Sequence, residues 1–243
     1  MDEEKSLGLS LIIPCFNERE NISILIKNLE DLSLKVNFPI EIIIVDGNSD
    51  DGTDLILQEE LSKLDSKIFS LILLDSREGY GFDIQQGLSK SKKEILAWTH
   101  ADLQTDVKDV EKAFNILTAS DQPNLIIKGK RKNRHFIDSM YTLGMQIVVF
   151  FYLKTYLDDI NGQPKLFKRD FYKKYLKEQA PKDFSLDLYT LFKAKKNGHV
   201  IKSFPVYFNK RKYGEAKGGG GSWRNRLNLI KRTFRYIRIL SKV

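Results

Sequence analysis

Three short clusters of acid- and amide-bearing residues each sit at the end of an apolar run. Leu9–Cys15 leads into Pro14-Cys15-Phe16-Asn17-Glu18. Glu41–Val45 leads into Asp46-Gly47-Asn48-Ser49-Asp50-Asp51-Gly52-Thr53. Glu94–Thr99 leads into His100-Ala101-Asp102-Leu103-Gln104. Any one of these could be a polar turn with a helix cap, and Asp51-Gly52-Thr53 is good turn chemistry with Thr53 as the cap. Three on one rim carry more carboxylate than turns require. The chemistry they suggest is a nucleotide site. Asp46 can accept hydrogen bonds from base N–H groups, and Glu18 can make similar contacts. Asp102 can hold Mg²⁺ or Mn²⁺, hard cations that take oxygen ligands and bridge a diphosphate. Such a metal would neutralise charge on a leaving nucleoside diphosphate. Gly79 and Gly81 read equally as a flexible loop or as phosphate contacts. Neither the dinucleotide fingerprint nor the P-loop motif is present, which counts against a dehydrogenase or a P-loop kinase.

The rim exists only if the apolar runs are strands of one sheet. Leu9–Cys15, Glu41–Val45, Ser70–Leu74, Glu94–Thr99 and Leu125–Lys128 are short enough to be buried strands. Between them, Ile22, Leu25, Ile26 and Leu29 keep helical spacing, as do Val107, Val110, Phe114 and Leu117. Leu55–Leu64 and the segment starting at Ile84–Leu88 also read as helices. Strand alternating with helix implies an α/β fold with a mostly parallel central sheet flanked by helices. Ligands in such sheets sit beyond the carboxyl ends of the strands, where the three clusters fall. Residues 131–182 give no clear order. Phe184–Lys196 reads as a helix, Val200–Phe208 as a strand, and 217–222 (KGGGGS) as a flexible loop.

The chain has 243 residues, with one Cys and three His. That excludes an internal disulfide framework and a four-Cys zinc module. The formal charge is +8, and residues 209–243 hold eleven Lys or Arg against the single acid Glu215. A near-neutral body thus carries a cationic end suited to an anionic partner. Trp223, Leu227, Ile230, Phe234 and Ile237 share one helical face there, with Arg224, Lys231, Arg235, Arg238 and Lys242 largely on the other. This C-terminal amphipathic helix, 223–243, either lies on a membrane surface or packs its stripe on the body, residues 1–222. The apolar stretch Met140–Leu153 is too short for a spanning helix, which needs ~20 residues. No basic n-region with an apolar run stands at the start. The expectation is a cytoplasmic protein, peripheral on the inner face of the membrane. Nucleic acid is not an expected partner, because no recognition motif accompanies the basic stretch.

With these strings in hand, the chain resembles family 2 glycosyltransferases of the GT-A fold, in the dolichol-phosphate mannosyltransferase-like branch. The matching strings are PCFNE (14–18), VDGNSDDGT (45–53), REGYGFDIQQG (77–87), HADLQ (100–104), DINGQPKLFKR (159–169), FSLDL (184–188) and KRKYGEAK (210–217). The resemblance implies that Pro14, Phe16, Asn17, Glu18 and Asp46 line a nucleoside pocket, with Asp51 nearby. It implies that Asp102 is the last acid of a DxD-type metal site, with Gln104 following it. Asp187 falls where inverting members carry a catalytic base or an acceptor-side acid. Arg211 and Lys217 match a basic loop that meets the donor diphosphate or an acceptor phosphate. Three positions depart from the pattern. His100 replaces the first Asp of DxD and could ligate through imidazole. Gly162-Gln163-Pro164-Lys165 replaces a Ser-Gly-Phe-Arg type stretch. Tyr189 stands where Glu is common, and Asp187 could also be a plain surface acid.

The implied reaction is a single inverting displacement. A sugar passes from a nucleotide-diphosphate donor to a lipid-linked (polyprenyl phosphate) or polysaccharide-related acceptor. Asp187 would serve as base for a hydroxyl acceptor. For a lipid phosphate, Arg211 and Lys217 would position the anion instead. Two rivals stand beside it. A sugar-1-phosphate nucleotidyltransferase shares the architecture, but its Gly-rich signature is missing. A catalytically inactive sugar-nucleotide-binding or scaffold protein of the same fold rests on His100 and Tyr189.

Overall fold

The apolar runs are strands because both faces of the sheet they form are covered. In the computed structural model, which describes residues 7–134, 136–209, 211 and 223–242, β1 (Leu9–Cys15), β2 (Ile40–Asp46) and β4 (Ile95–Trp98) are buried at every position. Leu9, Leu11 and Ile13 of β1 point into one core, and Ile12 into the other. A strand buried on both sides reads as a near-continuous apolar run rather than an alternating one, and the buried Ser10 and Glu41 are tolerated because they hydrogen-bond each other. The first core is closed by α1 (Arg19–Lys35), α2 (Thr53–Leu61) and α4 (Lys108–Thr118). The second is closed by α3 (Tyr80–Lys90), α7 (Leu186–Lys196) and a π-turn at Tyr172–Leu176 that continues the short α6 (Arg169–Phe171).

With β3 (Phe69–Leu73), β5 (Leu125–Lys132), β6 (Lys165–Lys168) and β7 (Val200–Tyr207), seven strands make one sheet in the order β3-β2-β1-β4-β6-β5-β7. All pairings are parallel except those of β6, which runs antiparallel between β4 and β5. The order reverses between β1 and β4. The crevice at that switch point is where a ligand is expected. The ends of β1 and β4 border it, carrying two of the three clusters.

The unordered stretch 131–182 contains β6 and a long helix, α5 (Phe136–Leu153). α8 (Trp223–Leu240) packs against α5, where the Tyr152 and Phe234 rings meet edge-on at 5.2 Å. Its Ile237 and Leu240 are buried in the second core, while Ile230 and Phe234 stay partly exposed. Part of the apolar stripe therefore packs on the body. The side chains of Trp223, Arg224 and Leu227 lie outside the described residues.

Gly79 and Gly81 serve close packing. A Cβ at Gly79 would lie 2.6 Å from the Lys182 carbonyl oxygen, and one at Gly81 would lie 2.4 Å from that of Pro181. The absent side chains let residues 181–183 lie on the start of α3, where Phe82 N–H donates to the Lys182 carbonyl at 2.9 Å. This segment leads directly into α7. Gly81→Val is expected to lower stability by about 1–3 kcal/mol by overpacking against backbone that cannot yield. For a chain of this length that corresponds to a loss of about 2–4 °C in melting temperature per kcal/mol, measurable by circular dichroism.

Candidate active site

A cleft of about 440 Å³ opens at the switch point. Pro14, Phe16, Glu18, His100, Asp102, Gln104, Asp187 and Arg211 all line it. That volume suits a cofactor- or substrate-sized ligand. The sequence-predicted residues thus converge, with three exceptions among those described.

Asn17, Asp46 and Asp51 do not line the cleft but build its wall. Asn17 Nδ2 donates to Asp50 Oδ1 at 2.6 Å, and Asp50 N–H returns a bond to Asn17 Oδ1 at 3.0 Å. Asp46 accepts from Ser49 N–H at 2.9 Å and Ser49 Oγ at 2.5 Å, and Ser49 Oγ in turn accepts from Asn17 N–H at 2.8 Å. Thr53 is the first residue of α2 rather than its cap, which is Gly52; Asp51 Oδ1 just before it accepts from Thr53 N–H at 3.0 Å and Thr53 Oγ1 at 2.6 Å. Thr53 Oγ1 is left to accept from Glu18 N–H at 2.9 Å. The second cluster therefore stitches the β1 loop in place. Lys217 lies outside the described residues.

At the mouth of β4, Arg211 Nη2 bridges Glu18 Oε1 at 3.1 Å and Asp102 Oδ2 at 3.3 Å. Two carboxylates from separate strand ends thus share one cation. Gln104 Nε2 donates to the Asn209 carbonyl at 3.1 Å and ties the segment after β7 to this loop. His100 meets the Tyr80 ring at 5.5 Å. Burial pushes its pKa down, opposed by Asp102 and Asp187, so it stays neutral near pH 7 and keeps a lone pair for a metal. Among the described residues no three His, Cys, Asp or Glu side chains cluster as a metal cage. The donor set instead fits a cation held by two or three protein groups and completed by phosphate oxygens.

Asp187 is no surface acid. It is 1% exposed, and its Oδ1 accepts from Lys165 Nζ at 2.7 Å, Gln163 Nε2 at 3.0 Å and Trp98 Nε1 at 3.3 Å. Lys165 is fully buried, and burial pushes its ammonium down while Asp187 pulls it back up. Gln163 also donates to the Tyr80 hydroxyl at 3.2 Å. Burial, with Asp187 and Asp102 nearby, holds that phenol well above its usual pKa, so it stays protonated.

The motif reading missed several lining residues. Arg131 and Arg134 face the cleft beside Phe208. Burial pushes the Asp159 carboxyl up, but Arg131, bonded through Nε at 3.0 Å, outweighs it and holds it low. Arg134 Nη1 donates to Thr142 Oγ1 at 2.5 Å, while its buried Nε has no hydrogen-bond partner among the described residues. Arg77 and Asp83 form a further ion pair at 2.5 Å. Asp83 falls in the i, i+3, i+4 stripe of α3 with Tyr80, Ile84 and Gly87, and an acid on that face was the available signal.

Residues 10–176 match the model of Glycosyl transferase family 2, and the chain belongs to that family. Its fold is the GT-A glycosyltransferase fold, as the motif strings implied. It is 28% identical over 133 residues to dodecaprenyl-phosphate galacturonate synthase of Rhizobium johnstonii, covering 55% of this chain and 38% of that protein. It is 29% identical over 140 residues to dolichyl-phosphate beta-glucosyltransferase of Dictyostelium discoideum, covering 55% and 42%. The chain thus spans about two fifths of the length of these curated relatives. Glucosyl-3-phosphoglycerate synthase from Mycobacterium tuberculosis, solved with Mn²⁺, UDP-glucose and phosphoglyceric acid, superposes with a TM-score of 0.75 at 12% identity, covering 98% of this chain and 80% of that one.

Lys165→Met leaves Asp187 buried without its counter-ion, and should cost about 3–5 kcal/mol in urea denaturation. Combining it with Asp187→Leu should recover most of that loss. A second expectation concerns pH. Burial raises the Asp83 carboxyl to about 6, with Arg77 opposing. The native state therefore holds this proton more tightly than the unfolded chain. Native stability falls as pH rises from about 4 to about 6 and is level above that. Asp83→Ala should remove this slope, so its melting temperature gains on wild type more at pH 7.5 than at pH 4.

Proposed function

We propose that this glycosyltransferase moves a sugar from a nucleoside-diphosphate donor to a polyprenyl phosphate at a membrane surface, with inversion. The observation that carries the reading is the pairing of two charged ends in one cleft. Glu18 and Asp102 gather positive charge at the strand ends, while Arg131 and Arg134 present it toward α5. The first end suits a metal–diphosphate and the second an acceptor phosphate. The names of the two curated relatives, both of which specify a polyprenyl-type phosphate, support the same acceptor class.

The surface beside the cleft supports a lipid-linked acceptor. Asp138, Tyr141 and Met145 of α5 and Ile230 and Thr233 of α8 line its outer wall. α5 exposes Phe136, Met140, Leu143, Ile147, Phe150 and Phe151. Such a patch, beside a basic helix, suits the anionic cytoplasmic leaflet. Among the described residues no helix is long and apolar enough to cross a membrane.

Mg²⁺ or Mn²⁺ would be held by Asp102, with Glu18 and His100 at hand, and would supply charge neutralisation to the departing diphosphate. Arg211 would exchange its carboxylate partners for the phosphates of the donor. An acceptor phosphate oxygen attacks the anomeric carbon as the carbon–oxygen bond to the diphosphate breaks, and the leaving nucleoside diphosphate takes the electron pair. The attacking oxygen is already anionic, so no base is required. Asp187, with Oδ1 fixed by Trp98, Gln163 and Lys165, serves as a rigid wall of the sugar pocket.

Incubation of the purified protein with UDP- and GDP-sugars, Mn²⁺ and detergent-dispersed polyprenyl phosphate should give labelled glycolipid. Asp102→Ala should lower that transfer at least about 10²-fold, the usual cost of losing one charge-stabilising group, with an unchanged melting temperature. Near-normal turnover in the variant would sink the assignment. Donor binding without transfer to any acceptor would return the reading to an inactive homologue.

A further inference from the structure

Two buried lysines stand side by side in the sheet. Lys128 of β5 and Lys165 of β6 are register partners on adjacent strands, and neither has any exposed surface. Like charges directly opposite each other on a sheet repel, so each needs an acid of its own. Lys165 has Asp187. Lys128 has the loop between α5 and β6. Its Nζ pairs with Asp158 Oδ1 at 3.3 Å and donates to the Asp159 carbonyl at 3.2 Å and the Gly129 carbonyl at 3.2 Å. The reaction described above gives this second ammonium no role.

The loop that Lys128 grips leads to the cleft. It is pressed onto β5, where Gly129 N–H donates to the Pro164 carbonyl at 2.9 Å and a Cβ at Gly162 would lie 2.0 Å from the Gly129 carbonyl oxygen. Asp159 is held at a φ of +28°, which residues with a Cβ avoid unless their surroundings impose it. From that position its carboxylate reaches Arg131. Oδ2 accepts from Arg131 N–H at 2.6 Å, and Oδ1 accepts from Nε at 3.0 Å and Nη2 at 2.5 Å. Arg131 lines the cleft, at the end assigned to the acceptor phosphate. Lys128 thus fixes the backbone of the residue whose side chain fixes the guanidinium.

We propose that Lys128 is a positioning residue for the acceptor phosphate: its ammonium clamps the loop at Asp158 and Asp159, and the clamped loop aims Arg131 into the cleft. This rests on the acceptor reading above. The clamp responds to pH. Burial brings the Lys128 ammonium down to about 8; Asp158 and Asp159 pull it up, and Lys165 pushes it down. The other charges around it are Lys130, which shares Asp158 at 3.2 Å, Arg131 on Asp159, and Asp187 on Lys165. From β7, Ser203 Oγ donates to Asp158 Oδ1 at 3.1 Å. As pH rises past about 8 the amine becomes neutral. It then loses its attraction for Asp158, and its bonds to the carbonyls lose their charge-assisted strength.

The test is steady-state transfer to detergent-dispersed polyprenyl phosphate across this pH range, with the two KM values measured separately. In wild type the acceptor KM should rise at least about threefold with a midpoint near 8, within the range for a residue that acts through its neighbours, while the donor KM stays level. Asp158→Asn removes an opposite charge, so the midpoint should move down by about one unit or more. Lys128→Met should fold, because Asp158 keeps Lys130 and Ser203 and no buried carboxylate is orphaned. Its acceptor KM should be raised at every pH, with no midpoint. Should it fail to fold, Asp158→Asn, at a partly exposed position, carries the same test. A second readout needs no turnover: the Arg131 Nε–H resonance in NMR should shift with the titration of Lys128. An acceptor KM that is level with pH, a midpoint that Asp158→Asn leaves in place, or a donor KM that rises equally would overturn the proposal. So would an Arg131 resonance blind to Lys128. If nothing is transferred but that resonance still follows Lys128, the acceptor reading fails and the clamp stands.

Discussion

The buried pair of Lys165 and Asp187 is the constraint around which the cleft is built. β6 has only four residues, and it enters the sheet antiparallel between two strands that would otherwise face each other. Its first residue is a lysine with no exposed surface, and the ammonium reaches across to α7 at 2.7 Å. Two buried charges are tolerable only when paired and further hydrogen-bonded. Trp98 and Gln163 supply the further bonds on Oδ1, and the Gly162 carbonyl accepts from Lys165 Nζ at 3.1 Å. One ion pair thereby fixes the end of β4, the loop before β6 and the start of α7 against each other. These are the elements that form the floor of the cleft.

A second regularity is that three of the cleft's arginines are held by carboxylates. Arg211 is held by Glu18 and Asp102, Arg77 by Asp83, and Arg131 by Asp159. A fixed, flat guanidinium presents several donors without the rotamer freedom of lysine, which suits recognition of phosphate and planar groups. The acids are therefore not only candidate ligands for a metal or a base. They also hold each guanidinium in place and offset the repulsion among these like charges.

β1, β2 and β4 were readable because they are buried on both faces and so are almost wholly apolar, with the buried Ser10 hydroxyl donating to Glu41. Leu9–Cys15 and Glu41–Val45 allowed little else. β6 was hidden for the opposite reason, since Lys165 and Lys168 flank just two apolar residues, and nothing local shows that Lys165 is neutralised by Asp187, twenty-two positions on. Lys128 shortened β5 in the same way, being fully buried beside Asp158, with burial bringing its ammonium down to about 8. α5 was obscured because its apolar residues point outward as well as inward, so no stripe stands out. At the site, residue types brought the strand-end acids together as a group, but not the different neighbours each one meets. Asp46 and Asp51 organise loops, while Asp102 and Glu18 face the cleft. That distinction depends on which neighbours reach each carboxylate, and it appears only in three dimensions.

The insertion of β6 also has a consequence for how the chain comes off the ribosome. Until residue 168 has emerged, β4 has no partner on its outer side, and its backbone donors and acceptors lie open beside four fully buried residues. An unpaired apolar edge strand is a template for intermolecular pairing. The first two thirds of this protein, made alone, would carry such an edge, and would be expected to need a chaperone or to aggregate until the short antiparallel strand arrives to close it.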